Sequence, residues 1–320
     1  MKRTLHSLLI IFTITILIID IFTYSPLINK TIYFSINLFL KNVFPSLFPM
    51  FLISTILIDI GIPTYLGNIF ENITKKLFKT KKEGSFIFFI SLISGFPSNA
   101  KIINDLLNKN ILNINDANKI LLFTFFSNPL FIINTVGNLF LNNKKMGIYI
   151  LISHILGNII LGILYRNYNK NITKNNKVSF KNNTKILINN INNVNTYNII
   201  LKGIKESLTT LTMIFGIITF FLIIINIINI NINNPIIRAI ISSILELTTG
   251  LKYISILKIP LNIKALLSVF FISFGGLSVH TQIINIFNTK KIKYKTFLLA
   301  RIIHAFISTS ILFLILSIFQ

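Results

Sequence analysis

Uniformly apolar runs separated by short polar clusters dominate the chain; Leu8 to Ile19 and Ile214 to Ile225 are two of them. A bilayer core about 30 Å thick takes roughly 20 apolar residues in helical form, and several runs reach that length. Membrane β-strands would alternate apolar and polar positions, and these runs do not. The pattern therefore predicts an all-α polytopic membrane protein, with spans near 5–25, 146–165, 199–229 and 296–318. Three further apolar stretches, within 31–61, 236–257 and 263–287, carry interruptions. The first is broken at V43-F-P-S-L-F-P49, where two prolines each remove a backbone donor. Between 62 and 83, Ile62, Leu66, Ile69, Phe70, Ile73 and Leu77 recur at helical spacing beside Lys75, Lys76 and Lys79, which predicts a helix lying on the membrane surface.

The interruptions are the informative part, because lipid cannot satisfy an opened backbone and a break survives only against protein or a wet cavity. In S94-G-F-P-S-N-A-K101 the Gly and Pro end one half-helix. Ser98 or Asn99 can cap the next, which presents free N–H groups and a positive dipole end. S127-N-P-L130, L245-E-L-T-T-G250 and S273-F-G-G-L-S-V-H-T-Q282 are three more breaks. Basic loops favour the cytoplasmic side. With the linker inside, the span at 146–165 puts Lys144 and Lys145 outside, and Lys75 to Lys82 fall inside. Residues 84–116 then begin and end on one face, as a re-entrant hairpin does. In the second half Lys290, Lys291, Lys293 and Lys295 favour the inside, but the pattern leaves open whether 236–257 or 261–287 is re-entrant. The same grammar thus occurs twice: N-terminal spans (1–61), interfacial helix (62–83), first repeat (84–166), basic linker (167–198) and second repeat (199–320).

Composition narrows the function classes. The 320 residues are 53% hydrophobic and carry a formal net charge of +23. That charge lies in short clusters between spans, and the phenylalanines sit inside apolar runs, not among basic residues as stacking platforms. Topology and anionic lipid account for it, and nucleic acid is not expected as a partner. There is no cysteine, which removes disulfides, thiolate metal sites and thiol nucleophiles. The start M1-K-R-T-L-H-S-L-L-I-I-F has a basic flank and an apolar core but no small-residue cleavage site, and reads as a retained signal anchor. No H-E-x-x-H, P-loop, paired catalytic carboxylates or nucleophile elbow occurs, so no catalytic residues, cofactor or metal are expected.

At the first break, Ser98, Asn99 and Lys101 offer two polar side chains and a full positive charge to a small anionic substrate. The plainer reading is a kink closed by Ser98 and Asn99, with Lys101 snorkelling to headgroups and Asp105 and Lys109 neutralising charge along one helix face. Asn128 can serve the carbonyls that Pro129 frees, as in an ordinary proline kink. Glu246 is a carboxylate at bilayer depth, which is expensive unless paired, protonated or wetted. With Thr249 beside it, it can couple an ion or tune charge, or it can pair with a lysine structurally. Ser278, His280 and Thr281 follow Gly275-Gly276 as further hydrogen-bonding candidates, although a lone His is more often a satisfied structural group. Arg301 and His304, three apart on the last span, face either the interior or the interface.

These residues carry a resemblance. G95-F-P-S-N-A-K101, N128-P-L-F-I132 with V136-G137, L245-E-L-T-T-G250, F274-G-G-L-S-V-H-T-Q282 and R301-I-I-H-A305 resemble, in order, the motifs of sporulation integral membrane proteins of the YlbJ/SpoVV type, which carry the nucleoside-recognition or Gate domain. Asn99 departs from the glycine more usual there. The resemblance implies two Gate-like repeats with re-entrant hairpins and broken helices, as in concentrative nucleoside transporters, enclosing a midplane site. It also implies transport of dipicolinic acid towards the forespore of an endospore-forming bacterium, in the cell membrane or outer forespore membrane. Half-helix N-termini with Lys101 and hydroxyls suit a dicarboxylate. The alternatives are a nucleoside or other small-solute transporter and a non-transporting sporulation scaffold; a homo-oligomer or other sporulation membrane proteins stand open as partners beside the lipid bilayer.

Overall fold

A computed structural model describes residue 15 and residues 18–168, 196–287 and 292–319. Most of the expected span at 5–25, the linker lysines Lys170, Lys174, Lys177, Lys181 and Lys185, and Lys290 and Lys291 lie outside the described residues.

Every regular element among the described residues is helical. Helix α1 (Ser25–Leu38) passes through a π-wound turn (Phe39–Val43) into α2 (Phe44–Ile60). The expected interruption at the two prolines is a change of winding, not a gap. Pro45 falls just after the π-wound turn, and Pro49 lies inside α2. Gly61, at φ 92°, turns the chain into α3 (Ile62–Phe78), the predicted amphipathic helix. Ile69 and Ile73 are exposed on it, whereas Ile62, Leu66 and Leu77 pack against the core, so α3 is fastened to the bundle along one edge. It lies across α4 (Lys82–Ser94), with the Phe70 and Phe89 rings 4.0 Å apart.

The chain then breaks at 95–97 and continues as α5 (Ser98–Asn108) and α6 (Ile114–Phe123). A second irregular stretch, 124–128, leads through Pro129 and Leu130 into a π-wound helix (Phe131–Phe140), which packs on α7 (Lys144–Leu164). After the linker come α8 (Thr196–Ile230), α9 (Pro235–Leu245), α10 (Leu247–Ile256), α11 (Leu261–Phe274), α12 (Gly276–Phe287) and α13 (Tyr294–Phe319). Among the described residues, five stretches are long and apolar enough to cross a bilayer: Ser25–Ile60, Lys144–Leu164, Tyr197–Ile230, Leu261–Phe287 and Tyr294–Ile318.

The two candidate segments of the second half differ in how their helices pack. Helices α9 and α10, joined by Glu246 alone, pack against each other, and a Cβ on Gly250 would strike the Ser243 backbone. Helices α11 and α12 do not pair in this way. They run on across Gly275 as one interrupted apolar stretch.

Three apolar clusters hold the bundle. One surrounds α4 to α6 and reaches α12 and α13, a second joins the π-wound helix to α10 and α11, and a third belongs to α2 and α8 through Leu47, Phe51, Leu211, Ile214, Ile218 and Leu222.

Candidate functional site

The breaks in the helices are strung together in the interior. Gly95, at φ +73°, lies so close to Asn128 that a Cβ would be 3.0 Å from the Asn128 Cα, and the Phe96 N–H donates to the Phe126 carbonyl at 2.6 Å. The Phe96 ring stacks on Phe125, centroids 4.5 Å apart. Phe125 in turn fills the space beside Gly275, where φ is +98° and a Cβ would be 2.6 Å from its ring. Gly276 abuts the next break, with a Cβ there 3.2 Å from the Leu247 nitrogen. Helix α12 packs on both α5 and α10. Three helix N-termini, at Ser98, Leu247 and Gly276, are therefore gathered around one region. Like dipole ends are thereby brought near one another, and at one of them, α10, the Glu246 carboxylate already occupies the first N–H groups.

Unpartnered polar atoms mark the same region. Ser98 Oγ, both polar atoms of the Asn99 side chain, Thr249 Oγ1 and Ser278 Oγ are all buried without a hydrogen-bond partner. Ser98, Asn99 and Ser278 are fully buried. Neither Ser98 nor Asn99 caps α5: Pro97 holds the cap position and no side chain accepts from the first turn. Their hydrogen-bonding capacity stays unused, which is costly at this depth and is the usual signature of a ligand or ordered water.

Other predicted residues lie elsewhere or carry other contacts. Lys101 is 3% exposed, and its ammonium donates to Thr55 Oγ1 and to Asp105 Oδ2, both at 2.7 Å, with Glu206 at 3.9 Å. It thus turns towards α2 and α8. The expected Lys101–Asp105 pairing is present, but Lys109 pairs with Asp59, not with Asp105, and Lys202 approaches Asp59 at 3.1 Å. This charged set borders a cavity of about 60 Å³ lined by Thr55, Ile58, Asp59, Asp105 and Asn108 among others. Glu246 is 4% exposed and caps α10, accepting from the Thr248 N–H at 3.1 Å and the Thr249 N–H at 2.8 Å. Asn128 accepts from the Leu130 N–H at 2.8 Å, so it serves a donor and not the carbonyls that Pro129 frees. His280 binds the Phe274 carbonyl through Nε2 at 2.9 Å and lies 3.3 Å from the Tyr294 hydroxyl, which satisfies it structurally. Thr281 is exposed and donates to the Leu277 carbonyl.

Arg301 and His304 face the interior and are fully buried. The guanidinium donates to the Leu122 carbonyl at the end of α6 and lies 4.7 Å from the centre of the Phe125 ring. His154 and Asn158 on α7, also fully buried, escape a reading confined to breaks. Their signal is present nonetheless: two polar residues one helical turn apart in an otherwise apolar span. Asn158 donates to the Phe125 carbonyl at 2.7 Å, closing a backbone acceptor that the irregular stretch opens. Among the described residues, no group of three His, Asp or Glu is placed to hold a metal ion.

The breaks at 95–97 and 124–128 both fall within one segment that matches a family model. Residues 40–144 match the Gate family model. The matching family model is described as nucleoside recognition, and its reach covers α2 to α6 and the π-wound helix, with Ser98, Asn99, Lys101 and Asn128 inside it. The chain is also 33% identical over 135 residues to the sporulation integral membrane protein YlbJ of Bacillus subtilis strain 168; the aligned stretch is 42% of this chain and spans a third of that relative's length. No solved structure matches the chain. The Gate match ends before Glu246, Thr249 and Ser278, whose grouping with the first break rests on the geometry above.

Proposed function

We propose that the protein is a membrane transporter for a small organic anion, with dipicolinate moved towards the forespore as the leading substrate. The observation that carries this reading is the convergence of three helix N-termini on buried, unpartnered Ser98, Asn99, Thr249 and Ser278. A dicarboxylate supplies acceptors to the unpartnered side chains and negative charge to the helix ends at Ser98 and Gly276, which Glu246 does not cap. In this reading two repeats enclose the site from opposite faces. Each consists of a re-entrant helix pair, a broken helix and an unbroken helix: α4 to α7 in the first and α9 to α13 in the second. Glu246 and Thr249 tune charge at the second half-site and are the place to seek ion coupling. Lys101 acts through its ion pairs at the edge of the first half-site. Similarity to a sporulation membrane protein supports the cellular setting. Nothing in the site calls for bond-making chemistry, and the proposal is transport without catalysis.

The description of the Gate model favours one second reading, a nucleoside as the solute. Proteoliposomes holding the purified protein separate the two. Uptake of labelled dipicolinate, inhibited by unlabelled dipicolinate and not by nucleosides, is the expected result, measured with and without a proton or Na⁺ gradient. Ser278→Ala and Asn99→Ala are expected to raise the half-saturating concentration roughly tenfold or more each, the loss of one hydrogen bond to a charged ligand. Nucleoside uptake indifferent to dipicolinate would install the second reading, and no uptake of either would leave a sporulation scaffold.

A further inference from the structure

The polar groups beneath the breaks form a continuous path, and its centre is an imidazole to which no role has been assigned. The Ser127 N–H, in the first irregular stretch, donates to His154 Nε2 at 2.9 Å. On the other side of the ring, His154 Nδ1 lies 2.9 Å from Ser273 Oγ, two residues before Gly275. A backbone N–H can only donate, so Nε2 accepts. In a neutral ring Nδ1 then carries the proton and donates to the serine.

A second imidazole, His304, lies beside it, its Nδ1 also 3.3 Å from the Ser273 carbonyl. Arg301 approaches His304 Nδ1 at 3.1 Å as an obligate donor. His304 therefore carries its proton on Nε2, which donates to the His154 carbonyl at 3.0 Å. Ser127, His154, Ser273, Arg301 and His304 are all buried. His154 and His304 also occupy corresponding places, each ten residues beyond the first residue of its helix, α7 and α13.

We infer that His154 is a positioning residue that locks the two broken segments to each other, so that the half-sites at Ser98 and Ser278 keep one register. The path is short and can be followed from end to end. The Phe96 N–H, at the entry to α5, donates to the Phe126 carbonyl; Ser127 follows in the chain and binds His154; His154 binds Ser273; Gly275 and α12 with Ser278 come next. An imidazole suits the role because it offers an acceptor and a donor on opposite edges of one rigid ring. Glutamine offers the same pair from its amide oxygen and nitrogen, whereas leucine fills the volume and offers neither.

Amide hydrogen exchange on the full chain in nanodiscs tests this without reference to any substrate, so failure of the transport reading would leave the result interpretable. In the wild type, peptides covering 124–130 and 271–280 are both expected to be protected. His154→Leu is expected to speed exchange in both by roughly fivefold to tenfold or more, the loss of about one hydrogen bond at each end. His154→Gln retains most of the protection. Ser273→Ala, a small change outside the first segment, should raise exchange at 124–130 as well as at 271–280. Wild-type protection in His154→Leu, or an effect of Ser273→Ala confined to 271–280, would overturn the inference. Should His154→Leu not fold, the Ser273→Ala comparison decides alone.

Discussion

Glu246 and Lys101 are the two buried charges most visible in the sequence, and the bundle treats them differently. Glu246 turns both oxygens onto the first N–H groups of α10, where the helix dipole favours a carboxylate. Glu246→Gln keeps one acceptor and is expected to be mild, whereas Glu246→Ala should cost about 1–2 kcal/mol, the usual value of a lost N-cap. Thermal unfolding in detergent reads the difference, and equal melting points for the two variants would refute the capping role. Lys101 is held by Asp105, so Lys101→Met leaves a nearly buried carboxylate without its main partner. It should destabilise by about 3 kcal/mol, while Lys101→Met with Asp105→Leu recovers most of the loss. A double variant no more stable than the single one would deny the pair its role. The Lys101–Asp105 contact was legible as an i, i+4 spacing. The reach of Lys101 to Thr55 and Glu206 was not, because residues separated by 46 and 105 positions meet only through the packing of α5 and α8 on α2.

At the scale of elements, breaks were easier to read than windings. Gly95-Phe96-Pro97, Ser127-Asn128-Pro129 and Gly275-Gly276 each contain residues that stop a helix for local reasons, and each marks a real interruption. The π-wound segments Phe39–Val43 and Phe131–Phe140 each adjoin a proline, Pro45 or Pro129, but a proline signals an interruption without saying that it takes the form of a wider winding. Glu246 is the converse case. A hairpin turns there on one non-glycine residue in extended conformation, which only the α9–α10 packing makes economical. Gly275 offers the sharpest test at this scale. Its φ of +98° excludes most side chains, and a Cβ would press on the Phe125 ring. Gly275→Ala should therefore cost about 1–3 kcal/mol from backbone conformation alone, with the ring contact adding to it. Loss of folded yield and a lower melting point are expected, and unchanged stability would mean that the break relaxes freely.

The whole molecule distributes its few acids unevenly. The sequence has only 8 Asp and Glu against 31 Lys and Arg, yet Asp59, Asp105 and Glu206 meet Lys101, Lys109 and Lys202 where α5 joins α2 and α8. Elsewhere α2 and α8 have an apolar cluster of their own, so this junction is held by charge to an unusual degree. Asp59 is its hub, with Lys109 and Lys202 on one carboxylate. Ion pairs of this kind specify a partner geometry more than they add net stability, and breaking one costs more than deleting the whole pair. Lys109→Asp sets two carboxylates against each other and is expected to cost about 1–3 kcal/mol, less than a fully buried pair because Lys109 remains 30% exposed. Adding Asp59→Lys restores the Asp–Lys contact in reverse. Recovery should be incomplete, because Lys202, 3.1 Å from the same carboxylate, then faces a lysine. Replacing Lys202 by Glu as well should bring stability close to the starting value. Melting points of the single, double and triple variants in detergent follow that order if Asp59 is the hub; a double variant as stable as the wild type would remove Lys202 from the junction, and a harmless Lys109→Asp would show that apolar packing alone holds α5 in place.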